Sequence, residues 1–242
     1  VETTKRGIEP HLLQQSITKV IIRTPKLRWP IPPSLASRLD GQSIVKVDRR
    51  AKYLLLGTVK GTLIIHLGMS GSLRVTDATT PLRKHDHFIL HLETKKELRL
   101  HDPRRFGAVL WYKGDVSQHP LLKELGPEPL NESFNSDYFT QTCTGRKTSI
   151  KQHIMNSHIV VGVGNIYANE ALFLAGIHPK RQAGRISAAR LEGLTQAIKT
   201  VLNDAIKQGG TTLRDFVRED GQPGYFKLHL NVYGRSAEPC FR

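Results

Sequence analysis

The hydrophobic pattern of the chain changes period near its middle, and this change limits the fold more than any other feature. In the first half the apolar residues come in short, branched or alternating runs, at residues 17–23, 44–47, 53–56, 62–66, 87–92 and 98–101. Gly, Pro, Asp and Thr punctuate them, as in an antiparallel sandwich or barrel. Residues 1–15 ahead of them read as a helix with Ile8, Leu12 and Leu13 on one face, against which Pro10 argues. In the second half the period lengthens. Ser187 is placed to cap a helix whose stripe is Leu191, Leu194, Ile198, Val201, Leu202 and Ala205, ended by Gly209-Gly210. Asn165 is placed to cap another that runs to Ala175 and stops at Gly176, and residues 149–156 form a third. The breaker-rich stretch Gly126-Pro127-Glu128-Pro129-Leu130-Asn131 marks the boundary. The expectation is an α+β protein, β-rich first and helical second.

Charge narrows what such a chain meets. Thirty-six Lys and Arg oppose 21 Asp and Glu in 242 residues, a formal net charge of +15. The cations are clustered in Lys46-Val47-Asp48-Arg49-Arg50-Ala51-Lys52, Arg83-Lys84-His85-Asp86-His87, Asp102-Pro103-Arg104-Arg105 and Gly145-Arg146-Lys147. Clusters set between folded segments, and not in one tail, point to a polyanion, most often nucleic acid. With 38% hydrophobic residues the chain has enough apolar material for real cores. No run approaches the roughly 18 apolar residues of a membrane span, and residues 1–7 lack the apolar stretch of a secretory signal. Cys143 and Cys240 are too few for a disulfide framework, which fits a reduced cytosolic chain.

Several motifs carry chemistry. Val160-Val161-Gly162-Val163-Gly164-Asn165-Ile166-Tyr167-Ala168 contains G-x-G, but Tyr167 stands where a dinucleotide fingerprint needs glycine and no strand precedes it. What remains is a glycine turn before a helix N-terminus, suited either to a phosphate or to a plain interhelical connection. Lys52 follows Arg49 and Arg50, and neighbouring cations are expected to depress its pKa, which suits proton transfer; phosphate contact is the commoner fate. His85 and His87 have metal-like spacing, but their rings are expected to face opposite ways and no third ligand is evident nearby, so phosphate or core hydrogen bonding is expected instead. Gly68-Met69-Ser70-Gly71 and Asp102-Pro103-Arg104-Arg105-Phe106-Gly107 read as two loops. Singly, Met69 and Phe106 read as core; with Arg104 and the basic clusters they read as wedges that open a duplex.

At this point the chain resembles the bacterial formamidopyrimidine-DNA glycosylases. The segments VETTKRGIEPHL, LRWP, RRAKYLLL, IIHLGMSGSLR, KHDHF, DPRRFGA, LGPEPL, KTSIKQ, VVGVGNIYANEALF, AGIHP, QGGTTLRDF, DGQPGYF and VYGR…EPC follow the family's order from Val1 to Cys240. The resemblance implies an antiparallel β-sandwich with a leading helix over residues 1–126 and a helix-two-turns-helix DNA-binding domain over 127–226. The start of a zinc finger would occupy 227–242. It implies a monomeric, cytoplasmic and nucleoid-associated enzyme that flips oxidised purines out of double-stranded DNA, excises them and nicks the abasic strand by β,δ-elimination. By motif, Lys52 matches the proton donor in elimination. Met69, Arg104 and Phe106 match the residues that fill the gap left by the flipped nucleotide. His85, Lys151 and Asn165 match DNA-phosphate contacts, Arg104 also touches DNA, and Arg146 and Lys147 are further contacts. Residues 218–225 are the expected lesion-contacting loop.

Two departures accompany this. The family begins Pro-Glu-Leu-Pro-Glu just ahead of the segment that starts here at Val1, and its N-terminal proline amine is the Schiff-base nucleophile; Glu2 is not the family's acidic partner. Cys240 matches the first of four cysteines that hold one Zn2+, and the other three are not in this sequence. The expectation is a sequence short of both family ends and lacking the family's nucleophile. The rival readings are the related endonuclease VIII for oxidised pyrimidines, against which the Met69, Arg104 and Phe106 set speaks, and a non-catalytic binder of damaged DNA.

Overall fold

A computed structural model describes residues 1–209 and 230–241. The first compact unit runs from Val1 to Lys123 and the second begins at Glu124. The expected loop at residues 218–225 lies outside the described residues.

Helix α1, Glu2–Leu12, opens the first unit and buries Ile8 and Leu12. It runs through Pro10, which sits close enough to the C-terminal end to cost one backbone hydrogen bond without ending the helix. Leu13 does not share that face: its backbone is extended and its side chain 40% exposed, because the chain turns into β1 there. Among the described residues eight strands follow: β1 Ile17–Ile22, β2 Lys46–Arg50, β3 Tyr53–Thr58, β4 Gly61–His66, β5 Ser72–Asp77, β6 Asp86–Leu92, β7 Lys96–His101 and β8 Ala108–Tyr112, with a short helix α2, Leu35–Leu39, between β1 and β2. They make two antiparallel four-stranded sheets, ordered β1-β6-β7-β5 and β2-β3-β4-β8. Strands β5 and β8 and helix α2 are additions to the sequence reading.

One apolar cluster draws on both sheets and α1, with Phe88, Leu90, Leu98 and Leu100 from one side and Leu54, Leu56, Leu63 and Val109 from the other. Each such fully buried side chain contributes about 1.5–3 kcal/mol, so the alternation of β6 and β7 fixes which way the sheet faces. Their opposite face is covered as well. Arg99 is 1% exposed and donates to Glu97 and to the carbonyls of Thr80 and Pro81, which folds the loop before β6 onto the sheet.

The second unit packs α3 Ser136–Cys143, α4 Ile150–Met155, α5 Asn165–Leu174 and α6 Ala188–Lys207 around Phe134, Phe139, Ile154, Ala168, Leu194 and Ile198. Helix α3 was not foreseen; the Asn135 side chain accepts from Tyr138 N–H at its start. Two expected caps differ. The residue before α5 is Gly164 and Asn165 is the first helical residue, while Ser187 precedes α6 without a side-chain capping bond. Ser149 does cap α4, accepting from Gln152 N–H. Gly176, at φ +64°, ends α5 where only a residue free of a Cβ penalty is at ease. Among the described residues no helix is long and apolar enough to cross a membrane.

Candidate functional site

Lys52 lies in the two-residue turn of the β2–β3 hairpin, since Arg50 pairs with Tyr53. The other turn residue, Ala51, is held at φ +54°, a left-handed conformation that costs an alanine about 1–2 kcal/mol. Arg49 secures it, donating from Nη1 to the Ala51 carbonyl at 3.0 Å and from Nε to Glu2 Oε2 at 2.6 Å. Glu2 also receives Arg6 Nε at 2.9 Å. Burial works against the Glu2 charge, but the hydrogen bonds from Arg49 and Arg6 outweigh it and keep its pKa below the ordinary glutamate value. Glu2 is therefore a strut between α1 and the hairpin that presents Lys52, in keeping with its not being the family's acid.

The lysine pKa is lowered, as expected, but for a different reason. The cause is the protein mass packed around the ammonium, and not repulsion from Arg49 and Arg50. The side chain is still solvent-exposed, so water limits the effect.

His66, at the end of β4, faces Tyr53 with ring centres 4.9 Å apart and accepts Gly68 N–H on Nδ1 at 3.0 Å. Burial, then the charges of Arg28 and Lys52, push its pKa down to about 4. The unfolded chain takes up this proton near pH 6.5 and the native chain does not, so stability falls as pH drops from about 6.5 towards the native value. Allowing for the partly exposed ring, acid titration monitored by urea unfolding should show this histidine contributing on the order of 2 kcal/mol. An imidazole resonance that titrates near pH 6.5 in the folded protein contradicts this.

The two predicted loops lie side by side. Met69 is 66% exposed and Phe106 45% exposed, so neither is core. The Arg104 guanidinium lies 4.7 Å from the Phe106 ring centre, a cation–π contact. Gly68 is at φ +66°, and a Cβ there would come 2.6 Å from the Phe106 carbonyl carbon. Ser70 Oγ donates to Asp102 Oδ1 at 2.8 Å, and Gly107 N–H donates to Asp102 Oδ2 at 2.7 Å.

His85 and His87 are not set on opposite faces as expected. Their rings meet edge to face at 5.8 Å, because residues two apart in an extended chain point to the same side and His85 immediately precedes β6. His87 Nε2 must donate to the Asp102 carbonyl, 3.1 Å away, which leaves Nδ1 to accept from Thr24 Oγ1; burial lowers its pKa, in keeping with a neutral ring. Between the two histidines Asp86 is fully buried and accepts Arg74 Nη2, His101 Nδ1 and Arg83 N–H at 2.8, 2.9 and 2.9 Å. Sequence reading missed both Asp86 and Asp102; the only signal was an Asp inside each basic cluster.

In the second unit Arg146 and Lys147 are exposed on the segment before α4, and Lys151 is half-buried in its first turn. Asn165 is exposed at the start of α5 after Gly162, at φ +81°. One turn and a half along α5, the buried Glu170 carboxylate receives the backbone N–H groups of Asn231, Val232 and Tyr233 at 2.7–3.0 Å, and Asn231 Nδ2 at 3.0 Å. These donors keep its pKa below the ordinary glutamate value despite burial. Cys240 is exposed, whereas Cys143 is buried and its thiol pushed up to about 11. Among the described residues no group of three or more His, Cys, Asp or Glu could hold a metal ion. Cys240 alone does not fit a zinc centre.

Comparison with known proteins identifies the family. The family described as "Formamidopyrimidine-DNA glycosylase N-terminal domain" matches residues 1–109, and "Formamidopyrimidine-DNA glycosylase H2TH domain" matches residues 125–217. The formamidopyrimidine-DNA glycosylase of Thioalkalivibrio sulfidiphilus is 60% identical over 240 residues, covering 99% of this chain and 89% of its own length. That of Hydrogenovibrio crunogenus is 58% identical, covering 99% and 86%. Among solved structures, the MutM (Fpg) protein of Thermus thermophilus superposes with a TM-score of 0.86 at 36% identity, over 99% of this chain and 88% of that one. Wild-type Fpg of Lactococcus lactis, in complex with DNA containing N7-benzyl-Fapy-dG, gives 0.90 at 32%, over 100% and 89%. With both units matched in sequence and in shape, the chain belongs to the formamidopyrimidine-DNA glycosylase family.

Proposed function

We propose that this protein is a bifunctional DNA glycosylase and abasic-site lyase of base-excision repair, acting in the cytoplasm on duplex DNA that carries oxidised purines. The observation that carries the reading is the display of Met69, Arg104 and Phe106 on two adjoining loops of the unit that also presents Lys52. Two exposed apolar side chains flanking a guanidinium suit the space an extruded nucleotide leaves. His85 on the first unit, and Arg146, Lys147, Lys151 and Asn165 on the second, serve as phosphate contacts, positioning the backbone while the loops act on the base. The relatives bear the formamidopyrimidine name, which favours purine lesions over the pyrimidine lesions of endonuclease VIII.

In the reaction, an amine attacks the sugar carbon as the damaged base departs, and the resulting imine permits elimination of the strand. The family's N-terminal proline, which the resemblance places a few residues ahead of Val1, is assigned as that nucleophile. Lys52 supplies the proton. Cys240 stands where the family has one zinc ligand, but the described residues do not make a zinc centre, and no step is routed through that ion.

Borohydride treatment of the full-length protein on an 8-oxoguanine duplex is expected to give a covalent protein–DNA adduct, with 8-oxoguanine excised faster than thymine glycol. Retained damage binding without any adduct would sink the enzymatic reading and leave a binding protein; faster excision of thymine glycol would favour the pyrimidine enzyme.

A further inference from the structure

We propose that Asp102 is a positioning residue that locks the two exposed loops into one wedge, so that Met69 from one and Arg104 and Phe106 from the other enter the duplex together. The inference rests on the functional reading of those three side chains given above.

The Asp102 side chain is completely buried, and its two oxygens are divided between the loops. One takes the Ser70 hydroxyl across 32 positions of sequence; the other takes Gly107 N–H within its own loop. Ser70 is the neighbour of Met69, and Gly107 the neighbour of Phe106. Each carboxylate oxygen therefore holds the residue beside an exposed apolar side chain. The backbone of Asp102 is anchored too, its N–H donating to the His85 carbonyl and its carbonyl accepting from His87 Nε2 and Arg105 N–H. Between the loops the main chains touch directly: a Cβ on Gly68 would meet the Phe106 carbonyl carbon at 2.6 Å, and one on Gly107 would meet the His66 carbonyl oxygen at 2.8 Å.

This arrangement answers a mechanical need. A side chain pushed between stacked bases is pushed back with equal force, and a short exposed loop held only at its ends yields. Joining both loops to one buried anion, which has no room to move, lets each resist through the other. A carboxylate that merely closed its own turn would need only the Gly107 contact, and the Ser70 bridge would be idle.

The test uses the full-length protein and a duplex with 2-aminopurine beside 8-oxoguanine. Fluorescence reports base-pair opening, single-turnover excision reports the glycosylase step, and cleavage at a preformed abasic site reports chemistry without base extrusion. Ser70→Ala and Asp102→Ala should each slow opening about tenfold, the scale of one lost hydrogen bond to a charged acceptor. Asp102→Asn should stay within about threefold of wild type, since its amide oxygen can accept from Gly107 N–H while its NH2 donates to Ser70 Oγ. Adding Ser70→Ala to Asp102→Ala should change nothing further, because the bridge is already gone. In Ser70→Ala, abasic-site cleavage should move much less than opening. Unchanged opening in Ser70→Ala, additive effects in the double variant, or abasic cleavage falling in step with opening would overturn the proposal. If Asp102→Ala does not fold, the contrast between Ser70→Ala and Asp102→Asn decides. A wild-type protein that opens the duplex yet spares 8-oxoguanine would defeat the functional reading, while the fluorescence arm would still judge the coupling.

Discussion

Asp86→Ala is expected to destabilise the β-sandwich by about 3–5 kcal/mol, measured as a lower midpoint of chemical unfolding. The reason is what the carboxylate leaves behind. Arg74 and His101 donate to it, Arg83 donates its backbone N–H, and Arg99 Nη1 lies 3.9 Å away with its side chain 1% exposed. Removing the anion strands the Arg74 guanidinium in low-dielectric surroundings, while Arg99 keeps Glu97 as its counter-ion. The bonds Arg99 makes to the Thr80 and Pro81 carbonyls tie the same network to the loop that carries His85. Looser DNA binding should therefore accompany the lost stability. Acid should reproduce part of the effect. The Asp86 pKa is held below its ordinary value because the Arg83 N–H, His101 and Arg74 outweigh the burial penalty. Its contribution is thus present above the unfolded carboxylate range near pH 4 and is lost as pH falls through the native pKa. A destabilisation under about 1 kcal/mol, the scale of an exposed pair, would show that water replaces the carboxylate without penalty.

The second large effect falls on chemistry. Lys52→Ala should slow excision and strand cleavage by about 10²-fold or more in single-turnover assays, the scale of a lost general acid. Lys52→Arg separates the two readings of this residue. A guanidinium keeps the positive charge but does not release a proton near neutral pH, so it should restore phosphate-dependent binding without restoring the rate. Full recovery in the arginine variant would refute proton transfer and leave Lys52 a phosphate contact. Because burial lowers the Lys52 pKa, the wild-type rate should fall as pH rises through that lowered value. The decline should begin below the pH expected of a free lysine.

How much of this was legible depended on whether the cause was local. The change from strand to helix periodicity placed most elements, whereas the caps expected at Asn165 and Ser187 were misplaced and the one Ser149 makes was not read. Strand β5 was hidden although Leu73 and Val75 alternate with Arg74 and Thr76, since the glycine-rich stretch before it reads as continuous loop. Helix α3 contains Thr, Tyr, Asp and Cys, all indifferent helix formers, and is held by burying Phe139 and Cys143. The turn at Ala51-Lys52 carries no Gly, Asn or Pro. It is imposed by the pairing of β2 with β3 and by Arg49, which no local pattern announces. The same holds for the site. Its exposed residues stood out by type and clustering, whereas the Asp86 and Asp102 carboxylates became visible only once distant segments were brought around them. The lowered lysine pKa was right in direction and wrong in cause for this reason: burial is a property of the fold, and adjacent charge a property of the sequence.

The grip of Glu170 on residues 231–233 restricts how this family member can change over time. Asn165 and Glu170 lie on one helix, and each inserted or deleted residue between them would turn the carboxylate by about 100° and shift it by about 1.5 Å. Three backbone N–H groups would then lose their shared acceptor at once. Substitutions on the outer face of α5 are tolerable, but its length between these two residues is not free to drift. The helix acts as a gauge that sets its N-terminal end and the C-terminal segment at a fixed spacing.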